Sequence, residues 1–185
     1  SRGLGDVYKR QSEFHGDGSN LTGISGGSGL GTDTGTANTT GGTDAGKDIQ
    51  AGAQNNSAYG YYALCDLTTG DGNSAFGACA LRSHTTGADN TAVGFKALQA
   101  NTSGQGNTAS GMYALLNNTG NNNTAMGRYA MRFNVGGGHN TASGYKALYD
   151  NTDDHNAAYG NQSLANNTSG CLLYTSDAAD ELRSV

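Results

Sequence analysis

The sequence predicts an all-β fold, a parallel β-solenoid (a β-roll or β-helix) of about seven coils of 16–17 residues spanning residues 56–170. Two observations predict it. One nine-residue pattern returns seven times in near-constant register: Asn, Thr or Ser, Ala, any residue, Gly, two variable residues, Ala, Leu. The composition, in turn, suits turns and a narrow interior. Gly supplies 31 of 185 residues, Pro and Trp are absent, and only 35% of residues are hydrophobic. A thin core repeated along an axis needs few apolar side chains per layer.

The copies begin at Asn56, Asn73, Asn90, Asn107, Asn123, Asn140 and Asn156, so the spacings are 17, 17, 17, 16, 17 and 16 residues. The second position holds Ser57, Ser74, Thr91, Thr108, Thr124 and Thr141 before Ala157 breaks the series. Helix-pair and leucine-rich repeats need at least about 20 residues per unit. The shorter period fits one coil with two short strands and two turns. Coils about 4.8 Å apart, the spacing of hydrogen-bonded strands, would make a rod segment on the order of 34 Å long. Helix is opposed by Gly at the fifth position and by the Asn-Thr-Gly clusters.

Stacking puts equal positions above one another, so each position becomes a column. The motif Asn residues form a hydrogen-bonding ladder tolerant of turn geometry. Gly60, Gly77, Gly94, Gly111, Gly127, Gly144 and Gly160 suit positive φ or close backbone approach. Ala63, Ala80, Ala97, Ala114, Ala130, Ala147 and Ser163 fit a narrow interior. Beside them Leu64, Leu81, Leu98, Leu115, Met131, Leu148 and Leu164 are the expected buried column. Each such side chain stabilises by roughly 1.5–3 kcal/mol. The fourth position mixes Tyr59, Phe76, Val93, Ser110, Met126, Ser143 and Tyr159, which reads as a looser core column or a contact with neighbouring chains. Runs such as Asn117-Asn118-Thr119-Gly120 and Asn166-Asn167-Thr168-Ser169-Gly170 read as exposed turns.

These Asn-Thr/Ser-Ala-x-Gly-x-x-Ala-Leu repeats resemble the head repeats of trimeric autotransporter adhesins of the YadA type, and similar repeats occur in phage tail-fibre proteins. The resemblance covers residues 56–170. It implies a left-handed parallel β-roll assembled as a homotrimer, although these coils are two or three residues longer than the usual head repeat. Upstream, Phe14-His15-Gly16-Asp17-Gly18-Ser19-Asn20-Leu21-Thr22-Gly23-Ile24, within 12–24, is similar to a short element of phage tail fibres that often precedes repeats. Residues 25–55, rich in Gly, Thr, Ser and Asp, read as a linker or as degenerate coils.

The two ends read as translated sequencing-adapter DNA. Asp6-Val7-Tyr8-Lys9-Arg10-Gln11 back-translates to GAT GTG TAT AAG AGA CAG. Its reverse complement, shifted by one base and extended by one T, encodes Cys171-Leu172-Leu173-Tyr174-Thr175-Ser176. On this reading residues 1–11 and 171–185 are artefacts of sequencing, and the biological insert is about 12–170.

Little chemistry is visible in the insert. It carries six basic and eleven acidic residues, a net charge of −5. No basic patch is expected, which argues against nucleic acid. No apolar run approaches the roughly 18 residues that span a membrane. The four His residues fall in turns or linker, so no catalytic residues are assigned. His139 and His155 would stack on adjacent coils near Asp153 and Asp154, but two ligands make no metal site. Cys65 and Cys79 occupy different motif positions, ten and seven, and read as small core-like residues. No cofactor is implied.

Three functions compete. The first is a non-enzymatic structural and adhesive fibre, a phage tail-fibre shaft attaching to a host surface, or alternatively the head of a bacterial adhesin. Its place would be the virion or the bacterial cell surface, and its partners sister chains and a host glycan or protein. An ice-binding solenoid is the second, from the hydroxyl column at Thr91, Thr108, Thr124 and Thr141, which Ser57, Ser74 and Ala157 interrupt. An enzyme carried on a solenoid is the third, and no cluster of acids or nucleophile supports it.

Overall fold

A computed structural model describes residues 37–168 and the backbone of 174–175. The expectations for residues 1–36, for 169–170 and for the rest of 171–185 lie outside the described residues. The described chain is an all-β parallel solenoid of about seven turns with no helix.

Each coil contributes one three-residue strand from the Thr/Ser-Ala-x part of the motif. These are β1 (Thr39–Gly41), β2 (Ser57–Tyr59), β3 (Ser74–Phe76), β4 (Thr91–Val93), β5 (Thr108–Ser110) and β6 (Thr124–Met126). The chain then adds β7 (Phe133–Asn134), β8 (Thr141–Ser143), β9 (Asp150–Asn151), β10 (Ala157–Tyr159) and β11 (Tyr174–Thr175). Nine strands pair in parallel in the order β1-β2-β3-β4-β5-β6-β8-β10-β11. The register follows the motif: Ala58, Ala75, Ala92, Ala109, Ala125, Ala142 and Ala158 lie above one another. All seven are fully buried. Strand alternation therefore turns the second and fourth motif positions away from the core.

Gly at the fifth position ends each strand. Gly94 has φ 128°, and a Cβ there would lie 2.8 Å from the backbone carbonyl carbon and oxygen of Gly111 in the next coil. Backbone stacked this closely excludes any side chain. Further on, each coil bends through left-handed residues that are not glycine. At the seventh position Lys96 has φ 57° and Tyr113 62°; at the ninth, Leu98 has φ 52° and Leu115 50°. A left-handed backbone costs an L-residue roughly 1–2 kcal/mol. Burial of the leucine and an inter-coil bond, Leu98 N–H to Ala114 O at 3.0 Å, offset it.

The core is a single file of columns. The eighth-position Ala residues are fully buried, as are Leu64, Leu81, Leu98, Leu115, Met131 and Leu148; Leu164 is partly buried. An additional coil precedes the seven, within the stretch read as linker or degenerate coils. Asn38 stands 18 residues before Asn56 and accepts its N–H at 2.9 Å, and β1 pairs with β2 in motif register. At the other end β11 pairs with β10, inside the segment read as adapter translation. An open sheet edge presents unpaired backbone groups to whatever strand follows.

Two expectations need correction. Most coils hold one strand, not two: only β7 and β9 form a second ladder. Elsewhere that side is joined by single bonds such as Ser83 N–H to Gln99 O at 3.0 Å. The runs read as exposed turns are partly interior, because Asn118 and Gly120 are buried.

Candidate binding surface

The interior carries polar columns as well as apolar ones. In every copy the motif Asn backbone N–H donates to the side-chain oxygen of the preceding motif Asn, as from Asn73 to Asn56 at 2.8 Å and from Asn156 to Asn140 at 2.8 Å. The side-chain amides continue the ladder, as Asn90 Nδ2 to Asn73 Oδ1 at 3.0 Å. A second polar column, eleven residues after each motif Asn, escaped the sequence reading. Asn134 Nδ2 donates to Asn118 Oδ1 at 2.8 Å, and Asn151 Nδ2 to Asn134 Oδ1 at 2.8 Å. Leu67 and His84 occupy the same column in earlier coils, and both are fully buried. His84 therefore does not sit in an exposed turn. Its Nδ1 lies 2.7 Å from Asn101 O and its Nε2 2.9 Å from Gly87 O. Burial pushes its pKa below the ordinary value, opposed by those two backbone contacts. Every one of these polar atoms is answered from within the stack, so the columns are structural.

Chemistry toward a partner has to come from the outside. The fourth-position column is not core: Tyr59, Phe76, Val93, Met126 and Tyr159 are 37–53% exposed. Tyr59 and Phe76 stack with centroids 5.4 Å apart. A second surface column forms where the chain leaves the Gly. Phe95 meets Tyr113 edge-on at 5.4 Å, Tyr113 stacks on Tyr129 at 5.3 Å, and Tyr129 meets Tyr145 at 6.1 Å and Tyr149 at 6.4 Å.

Cations are interleaved with these rings. Lys96 lies 5.3 Å from the Phe95 centroid, Arg128 4.6 Å from Tyr129, and Lys146 5.3 Å from Tyr149. Arg132 lies between coils, 5.4 Å from Tyr113 and 5.3 Å from Tyr129. Ring quadrupoles attract such cations. The guanidiniums also donate to phenol oxygens at 3.1 Å, Arg128 to Tyr129 and Arg132 to Tyr149, and the first bond raises the pKa of Arg128. Four cations scattered in the sequence thus gather on one face, a basic patch that linear reading missed.

The remaining candidates are weaker. His139 and His155 do stack, 5.0 Å apart and nearly parallel, on the exposed surface. Cys65 lies with Asp48 and Asp66 so that their ligand atoms are within 4.8 Å of one another. Burial, and then the Asp66 hydrogen bond, pushes the Cys65 thiol up to about 11, so it stays protonated at neutral pH and is a poor ligand. Cys65 and Cys79 are both buried free thiols. Hydrogen bonding to Asp44 pushes Tyr62 up to about 12. Among the described residues no helix is long and apolar enough to cross a membrane. Comparison with protein-family models, curated proteins and solved structures finds no match to this chain.

Proposed function

We propose that this chain is a non-enzymatic segment of a trimeric extracellular fibre, the shaft of a phage tail fibre that attaches to a host surface. The observation that carries the reading is the unbroken register from β1 to β10, which makes a stiff rod with an exposed, mostly apolar column interrupted at Ser110 and Ser143. Apolar side chains aligned in this way favour burial against copies of the same chain. The motif itself favours a second reading, the head of a bacterial trimeric adhesin, in which the same rod stands on a cell surface.

Sedimentation equilibrium of the full chain tests the assembly. The expected mass is three times 18.8 kDa. Phe76→Glu and Val93→Glu together should yield monomers that keep the β-type circular dichroism. A wild-type chain that sediments as a monomer at every concentration would overturn the trimer. Binding of the labelled chain to intact bacteria tests attachment, and uniform failure across a broad strain panel would leave only a spacer.

A further inference from the structure

We infer that the cation–aromatic ladder binds an anionic polysaccharide laid along the rod; this rests on the reading of the chain as a surface-attachment segment and names the partner class for one face of it. Lys96, Arg128, Arg132 and Lys146 lie within a span of four coils, one in the coil of Asn90, two in that of Asn123 and one in that of Asn140, and among the described residues none forms an ion pair with a carboxylate. Asp150 follows Tyr149 in the chain, yet it pairs with none of the four. The Nε of Arg132 is buried and has no hydrogen-bond partner. The chain as a whole carries a net charge of −5, so four unneutralised cations on one face run against its overall balance.

The surface also presents donors. The phenol oxygens of Tyr129 and Tyr149 accept from Arg128 and Arg132, and each phenol keeps one O–H as a donor. Ammonium, guanidinium and phenol donors together call for acceptor oxygens, such as those of carboxylates or sulfates. Shape then selects a polymer. Lys96 and Lys146 are three coils apart, about 14 Å along the axis at about 4.8 Å per coil. A small anion meets one end of such a row; a chain of acidic sugars meets all of it.

Single-stranded nucleic acid fits less well. Its bases need open ring faces on which to stack. Here Tyr113 and Tyr129 face each other within 3°, and Arg128 covers Tyr129. The rings serve to hold the cations in place.

Biolayer interferometry with the immobilised full chain tests this, using polygalacturonate, dextran sulfate, neutral dextran and a single-stranded oligonucleotide. Polygalacturonate or dextran sulfate should bind and neutral dextran should not, and raising NaCl from about 50 to about 300 mM should weaken binding at least tenfold. The double substitution R128Q/R132Q should weaken it at least about tenfold while the chain keeps its β-type circular dichroism and cooperative melting; Lys47→Gln, off the ladder, changes nothing. Equal binding of neutral dextran, stronger binding of the oligonucleotide, no binding at all, or full affinity of R128Q/R132Q would each overturn the inference. A monomeric chain that still binds polygalacturonate sinks the fibre reading alone. A trimer that binds bacteria but neither acidic polymer sinks this inference alone.

Discussion

Leu115 joins two opposing demands in one residue. Its backbone is left-handed, with φ 50°, and its side chain is fully buried in one column with its equivalents Leu98 and Met131 of the adjacent coils. Burial outweighs backbone strain, since a leucine gains roughly 1.5–3 kcal/mol and the strain is nearer 1–2 kcal/mol. Leu115→Ala should therefore cost about 2–5 kcal/mol in chemical denaturation. Leu115→Asp should prevent stable folding, because it buries an unpaired charge; an unchanged melting temperature would show that the column is not inside. His84 gives a pH dependence. Its folded pKa is depressed, so the unfolded state takes up the proton first. Its contribution is complete above the unfolded pKa of about 6.5 and falls as the solution is acidified below that value. Melting curves at about pH 7.5 and about pH 5.5 should show the loss, and His84→Asn, which restores the residue found at Asn101, should remove this component.

At the level of the coil, the same strand and turn are rebuilt from nearly the same nine residues. The columns of Asn, Ala, Gly and Leu were legible because their residue types repeat at a fixed spacing, and stacking turns equal spacing into contact. The second polar column was not legible. It opens on Leu67 and His84, so its Asn series starts only with Asn101 and continues through Asn118, Asn134, Asn151 and Asn167, and Asn117 beside Asn118 gives inside and outside the same letter. The left-handed leucines were hidden for a related reason, since leucine has no sequence preference for that conformation. The cation ladder drew its members from the sixth, seventh and tenth motif positions, and only the fold shows that these adjoin. The Gly column makes the sharpest prediction at this scale. Gly94→Ala must place a methyl against the Gly111 carbonyl at a φ of 128°. It should lower stability by about 2 kcal/mol or more, measured by urea denaturation.

For the whole molecule, stability is close to a sum over coils and the contacts between neighbours. Removing one full period, residues 90–106, brings Asn107 into the place of Asn90 and preserves every column. Such a chain should fold with a modestly lower melting temperature. Removing residues 90–97 instead breaks the register and should leave a chain without cooperative melting. Calorimetry on the two deletions distinguishes a stack from a globule, which would tolerate neither. Both asparagine columns also have a sense. The donating group belongs to the later coil and the accepting oxygen to the earlier one, from Asn56 onto Asn38 through Asn156 onto Asn140. A polypeptide leaving a ribosome or a secretion pore amino end first thus exposes its docking oxygens before the amides that must reach them. Each newly delivered layer can fasten to a finished one, and the rod is suited to lengthen in step with its own synthesis.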